Sequence, residues 1–334
     1  MSAAAADDLD ARIIAQLADD GRRSNRDVAR ALELPERSVG LRVRRLLASN
    51  DMRIVAIVDM LAAGFDCVAN VGVRVSGRTP AAVAADLARF PQVLSVLLMS
   101  GTHPIEIVVA AHDLAALGQF FERDLYSIAG VTEWSPSLRL RVLKVEAGMA
   151  PFTATPHSSL GFPADSTLDA TARGIIELLW AEPRATNQQI ATRLGSSETT
   201  VRSRIADLRA RGVLRITAVN NLRVGNGQAF AAVGIDVEPG RLDDVSRALE
   251  VFPEVRFAAT VAGRCHILTM LAAATPAQLA ALAYDRLAGV PGVARVELAQ
   301  ALHFVKHDYR WSPAVAARAG AVPQRGPTAT PHGR

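Results

Sequence analysis

Sliding the 334-residue chain against itself by 162 positions lays residues 13–144 over 175–306 without a gap, and 35 of the 132 pairs are identical. Alanine abundance alone generates some matches. It does not generate Phe90-Pro91 over Phe252-Pro253, Gly72 over Gly234, Gly101 over Gly263 or Gly130-Val131 over Gly292-Val293 at one constant offset. Lys144 falls over Lys306, and the sequence contains no other lysine. A repeat of this kind settles the architecture before any element is assigned, because whatever one unit folds into must be built twice.

Between the copies, residues 147–167 (AGMAPFTATPHSSLGFPADST) are rich in Pro, Ser, Thr and Gly and read as a linker. Residues 311–334 have the same character and read as a disordered tail. The rest is ordinary globular material, 50% apolar and 21% charged. Two cysteines, Cys67 and Cys265, exclude a disulfide scaffold and a four-cysteine zinc site. No stretch reaches 18 uncharged apolar residues, and the start carries Asp7, Asp8 and Asp10 where a signal peptide would be basic. A cytoplasmic protein with no membrane partner is expected. Nothing in the sequence calls for a cofactor or a metal, and no Walker loop, dinucleotide fingerprint or catalytic triad pattern is present.

The first 50 residues of each unit are helical in period. Leu9, Ile13, Ile14 and Leu17 share a face; Ser24 caps a short helix that buries Val28, Ala29 and Leu32; a third helix buries Val39, Val43, Leu46 and Leu47. In the second unit Thr186 caps 187–194, Gly195 stops it, and Ser197 starts 198–211. Two short helices across a tight turn, behind a packing helix, make a helix-turn-helix. The remaining residues alternate as strand 67–76, helix 80–90, strands 93–100 and 105–111, helix 113–126 and strand 131–144, and 229–306 repeats the pattern. That β-α-β-β-α-β order is ferredoxin-like.

Leu9-Asp10, Ser24-Asn25-Arg26-Asp27-Val28-Ala29 and Arg42-Val43-Arg44-Arg45-Leu46, followed by this module and by Gly130-Val131 before its last strand, resemble the Lrp/AsnC family of transcriptional regulators. The resemblance covers both units. It implies an α+β fold: a tandem repeat of a winged helix-turn-helix and a ferredoxin-like βαββαβ module of the RAM/AsnC type. The expected domains are helix-turn-helix 1–58, module 59–146, linker 147–167, helix-turn-helix 168–218, module 219–310 and tail 311–334. It also implies self-association through face-to-face pairing of modules, an amino-acid effector between them, and a chain that is a fused dimer. The two modules are expected to pair, within a chain or between chains, since each sheet has helices on one face only.

Charge supports a double-stranded DNA partner. Residues 22–53 hold nine arginines against four acids, and residues 184–215 seven against two, net +5 each in a chain of only +4. With Val39, Val43 and Leu46 inward, Arg37, Ser38, Leu41, Arg42 and Arg45 are left for bases and phosphates. Thr199, Thr200, Ser203, Arg204 and Asp207 are their equivalents. Arg42 and Arg204 have a competing role, bracing the domain against an acid. The family's effector-linked turn, Gly-x-x-Asp, reads Gly101-Thr102-His103-Pro104 and Gly263-Arg264-Cys265-His266, so Pro104 and His266 stand in place of the acid. On the resemblance, Gly101, His103, Pro104, Gly263, Cys265 and His266 are the effector-binding candidates. His103, Cys265 and His266 also invite a metal or haem reading across paired modules, without ligand spacing to support it. His303 and His307, four apart where the last strand ends, read as coincidence. Two other functions compete: an effector module without DNA contact, and a sirohaem-decarboxylase-like enzyme of the same architecture. The His-Asn-Tyr and Tyr-Asn-x-Trp-Phe stretches of such enzymes have no counterpart here.

Overall fold

Short polar side chains set the helix ends in both units, and a computed structural model describes residues 3–146, 153, 160–163, 166–221 and 228–312. The first unit runs α1 (Ala3–Asp19), α2 (Asn25–Leu32), α3 (Glu36–Ala48), β1 (Met52–Asp59), the single turn α4 (Met60–Ala63), β2 (Cys67–Val75), α5 (Pro80–Leu87), β3 (Val93–Met99), β4 (Ile105–Ala111), α6 (Leu114–Gln119) and β5 (Val131–Val145). The second runs α7 (Ala170–Ala181), α8 (Asn187–Leu194), α9 (Glu198–Ala210), β6 (Leu214–Asn220), β7 (Ala229–Val237), α10 (Leu242–Glu250), β8 (Val255–Ala262), β9 (Ile267–Ala273), α11 (Pro276–Ala281), β10 (Val293–His307) and β11 (Trp311–Ser312). Ser24 Oγ accepts the Asp27 N–H, and Thr186 and Gln189 form a reciprocal capping box. The expected helix 113–126 and its counterpart in the second unit change character midway. Each is a six-residue α-helix followed by a π-helical turn, over Phe120–Leu125 and Leu282–Leu287. Apolar periodicity does not encode that widening.

The two helix-turn-helix units form one body. β1 and β6 pair antiparallel, Met52 opposite Asn220 through Val58 opposite Leu214, and each is covered by the other unit's first helix, α1 over β6 and α7 over β1. Ile13, Leu17, Val39 and Leu46 therefore share one apolar core with Ile175, Leu179, Val201 and Leu208. Arg22 donates across the seam to the Ala185 carbonyl (2.7 Å) and Asn187 Oδ1 (2.9 Å), and its equivalent Arg184 donates to the Arg23 carbonyl (3.0 Å). Part of the positive charge counted in these segments thus holds the two domains together. Neither strand is among the elements expected from sequence, and both run across the expected boundaries at 58/59 and 218/219. Leu47, expected inside α3, is 39% exposed, and Gly40 is buried instead.

The modules close into an eight-stranded barrel ordered β10-β3-β4-β2-β5-β8-β9-β7. β5 pairs with β2 of its own module along one half and with β8 of the other module along the rest, and β10 does the same with β7 and β3. At about 3.3 Å per residue, a 15-residue strand reaches roughly 50 Å, enough for both partners. The modules thus pair within the chain. The two lysines fasten this exchange. Lys144 Nζ donates to the Phe252 carbonyl (2.7 Å) beyond α10, and Lys306 Nζ donates to the Ala88 and Phe90 carbonyls (3.1 and 2.9 Å) beyond α5. Each places a cation at the carbonyl end of a helix in the other module. Alternate residues of β2 and β4, Val71 and Ile107 among them, pack outward on the helices, while Asn70 and Glu106 face the barrel interior.

The expected linker and tail need correcting where they are described. Phe162 stacks on Trp180 with ring centroids 5.1 Å apart, and Trp311 packs edge-on against Phe65, Phe162 and Trp180 while donating to the Leu160 carbonyl. β11 pairs in parallel with β1, Val58 opposite Trp311. Sparse aromatics in a polar tract, not its average composition, decide this packing. The rest of the expected tail, residues 313–334, lies outside the described residues, as do most positions of 147–159.

Candidate nucleic-acid interface and ligand cleft

Helix α3 is amphipathic, and its outer side carries the expected contact residues. Arg37, Leu41 and Arg45 are exposed, Ser38 is half-buried, and Ser38, Leu41, Arg42 and Arg45 line one shallow depression of about 320 Å³. Arg42 turns inward: its side chain is 16% exposed and pairs with Asp10 at 3.0 Å. Arg45 also pairs with Asp10 while remaining mostly exposed. The competing role of Arg42 is thus the one the geometry displays. Arg44, absent from the candidates, is exposed, and neither Arg37 nor Arg44 has a carboxylate partner among the described residues. The run Arg42-Val43-Arg44-Arg45 held the signal, because only Val43 of the four is apolar.

Helix α9 is built alike and charged differently. Thr199, Thr200, Ser203, Arg204 and Asp207 are all exposed. Every arginine of α9 has an acid partner: Arg202 with Glu198 (2.8 Å), Arg204 with Asp169 (3.0 Å), and Arg209 with Asp20 of the first unit (3.3 Å). Asp207 pairs with Arg211 at 3.2 Å. Exposed pairs of this kind are individually weak, so their importance here is the cancelled charge rather than stability.

The effector-linked turns meet at one mouth of the barrel. A cleft of about 360 Å³ takes Thr102, His103, Glu106, Glu133 and Ser135 from one module and their equivalents Arg264, Cys265, Leu268, Arg295 and Glu297 from the other. The cleft therefore sits on the pseudo-two-fold relating the units, and its two sides carry different chemistry. Arg264 reaches across to Glu106, its Nη2 at 2.8 and 2.9 Å from the two carboxylate oxygens, and its Nη1 donates to His103 Nδ1 at 3.2 Å. Burial and then the adjacent guanidinium hold His103 below the usual imidazole range. Burial pushes the Glu106 carboxyl up, against the pull of Arg264, and pushes the Cys265 thiol up. A Cβ on Gly72 would lie 2.6 Å from the His103 ring and 2.8 Å from Arg264 Nη1, so only glycine lets the turn close here.

Of the effector candidates, His103 and Cys265 line the cleft; Gly101, Pro104, Gly263 and His266 are absent from its wall. His266 is exposed, accepts the Val237 N–H at 3.0 Å and lies 3.8 Å from Asp236. Among the described residues no three His, Cys, Asp or Glu side chains gather as metal ligands. His303 is exposed, whereas His307 contacts Ser95 at 3.1 Å. Sequence reasoning missed Asn70, Glu106 and Arg139, which belong to no motif, and Arg264, which lies in the second effector-linked turn but was not among the candidates. The offset comparison held the clue, since Ala232, Leu268, Ala301 and Thr102 occupy the equivalent positions.

Comparison with known proteins agrees with this division. The AsnC-type helix-turn-helix domain matches residues 7–47, a winged helix-turn-helix DNA-binding domain matches 168–215, and the Lrp/AsnC ligand binding domain matches 68–149 and again 230–311. An HTH-type transcriptional regulator of Pyrococcus furiosus is 33% identical over 139 residues, 41% of this chain and 94% of that protein. A Mycobacterium tuberculosis regulator of the same description is 32% identical over 119 residues, 35% of this chain and 80% of its own length. Both are spanned by less than half of this chain, as single units would be. The crystal structure of the sirohaem decarboxylase NirDL superposes with a TM-score of 0.64 over 90% of this chain and 92% of that one, at 18% identity, a likeness of fold. No helix among the described residues is long and apolar enough to cross a membrane. Two helix-turn-helix domains and two ligand-binding modules, each matched in its own copy, place the chain in the Lrp/AsnC family as a duplicated, two-unit member.

Proposed function

We propose that this protein is a sequence-specific transcriptional regulator of double-stranded DNA in which one chain presents two unlike recognition helices from a single body with a shared core. The observation that carries the reading is the pair of exposed guanidinium groups, Arg37 and Arg44, that have no acid partner among the described residues, beside the depression on α3. Arg37, Ser38, Leu41, Arg44 and Arg45 meet bases and phosphates, with Arg42 as a strut. Thr199, Thr200, Ser203 and Arg204 make the lesser contacts of α9. In the cleft at the barrel mouth, Arg264, His103 and Cys265 face an amino-acid effector, an assignment that follows the ligand-binding domain match.

The test is binding to the DNA upstream of its own gene as salt is varied. Neutralising about six phosphates gives a slope of log K against log salt near −5. Arg37→Ala and Arg44→Ala each flatten it by about 1. A slope flatter than about −2 removes the electrostatic basis of the reading. The whole-chain likeness to NirDL favours one alternative, an enzyme acting on a haem-like tetrapyrrole, and an absorbance titration with sirohaem tests it.

A further inference from the structure

Beneath the cleft, inside the barrel, lies a second cavity of about 80 Å³. Leu97, Met99, Met270 and Phe304 give it apolar walls, Arg139 stands on its polar side, and Trp311 closes the end nearest the helix-turn-helix body. Arg139 is a half-buried guanidinium with a partly empty set of partners. Its Nε donates to Asn70 Oδ1 at 2.8 Å, and its Cζ lies over the Phe257 ring, 4.5 Å from the centre. Its two terminal amino groups meet no hydrogen-bond acceptor among the described residues.

The charges around it leave a cation over. Glu106 attracts Arg139 but is held in hydrogen bonds by Arg264, so two guanidinium groups share one carboxylate. Asp308, which also lines the cavity, is paired with Arg310 at 3.1 Å. His307 is kept neutral, burial pushing it down to about 4. Taking a guanidinium out of water is costly when its carboxylate is shared with a second arginine, and an anion beside it offsets that cost. The feature occurs once per chain. In the second unit Ala301 replaces Arg139, Ala232 replaces Asn70 and Leu268 replaces Glu106.

We propose that the barrel interior binds one short apolar monocarboxylate per chain, its carboxylate on Arg139 and its hydrocarbon against Leu97, Met270 and Phe304. The cavity has room for roughly five to eight water-sized groups, which suits an acid of about four to seven heavy atoms. Among the described residues the two lining carboxylates, Glu106 and Asp308, are both engaged by arginines, so none receives an ammonium group and the acid lacks the amino group of an amino acid. This ligand is independent of the one assigned to the cleft. It also lies against Met60 and Trp311, which pack in the helix-turn-helix core, so its arrival is felt in both bodies.

The experiment is calorimetric and tryptophan-fluorescence titration of the full chain with butyrate and isovalerate, against butyramide, isovaleramide and leucine. One site per chain is expected for the acids. The amides bind at least about tenfold more weakly, and Arg139→Gln weakens the acids by about tenfold or more. Val108→Phe, which fills the cavity from β4, abolishes acid binding. Leucine binding that survives Val108→Phe belongs to the cleft and leaves the proposal standing. Absence of acid binding to the wild-type chain, equal binding of acids and amides, or unchanged acid binding in Arg139→Gln overturns it. If Arg139→Gln does not fold, acid binding that persists in Val108→Phe overturns it equally.

Discussion

The two helix-turn-helix units differ least where they touch each other and most where they face outward. Val39 over Val201, Leu46 over Leu208 and Arg22 over Arg184 are kept in the shared core and across its seam. On the outer face Arg37 becomes Thr199, Leu41 becomes Ser203, Arg44 becomes Ala206 and Arg45 becomes Asp207. The barrel repeats the lesson: Lys144 and Lys306 make reciprocal clamps, while the interior is polar on one side and apolar on the other. Fusion into one chain removes the requirement that paired units be identical. Packing residues then stay under mutual constraint, and ligand-facing residues are free to diverge.

Separating the units is the harshest way to break this comparison. Residues 1–146 alone lose the strand that covers β1, the strands that flank β3 and β5, and half of the common core. The fragment is expected to dimerise or aggregate, which sedimentation and circular dichroism will show. A folded monomer at high concentration would mean that the units are independent.

Cutting one clamp at a time comes next. Lys306 is 2% exposed and serves two carbonyls, whereas the Lys144 side chain is 18% exposed and serves one. Lys306→Met should cost about 2–3 kcal/mol in chemical denaturation and Lys144→Met about 1, because buried carbonyls lose their donor. Burial pushes Lys306 from 10.5 down to about 8, with Asp308 opposing and Arg310 assisting. Between those values the unfolded chain binds more protons than the folded one, so stability rises with pH across the window. The wild-type chain should therefore gain on Lys306→Met between pH 8 and 10; a flat difference would show a solvated amine.

The caps offer the finest contrast. α8 ends on Gly195 with φ +62°, and α2 ends on Glu33 with φ +56°, a conformation that disfavours side chains other than glycine. Glu33→Gly is expected to stabilise the chain by about 0.5–1 kcal/mol, and thermal unfolding will register it as about 1 °C. A loss instead would reveal a favourable role for the Glu33 side chain.

Much of this was legible in the sequence, for local reasons. Ser24, Thr186 and Gly195 act within a few residues of themselves, and the offset of 162 exposed the repeat without any structure. β1 and β6 were not legible. Each is a single short strand whose partner lies about 160 residues away, and no turn residues join them. Arg42 carried two readings in the sequence, and only the position of Asp10 on another helix separates them. Glu106, Arg139 and Arg264 form a constellation only after the barrel closes, since they come from the start of β4, the middle of β5 and the turn between β8 and β9.

The central claim is that one chain carries two unlike readers, and the DNA it selects tests that most directly. Arginine can hold a guanine bidentately, whereas threonine cannot, and aspartate repels phosphate or accepts from cytosine. Each such difference changes base preference by about 1–3 kcal/mol. Sequences enriched from a random pool by the full chain should form an asymmetric site with a G-rich half. Asp207→Ala should strengthen binding to that site, and Arg37→Ala should weaken it. A perfect inverted repeat, weakened equally by both substitutions, would contradict the account.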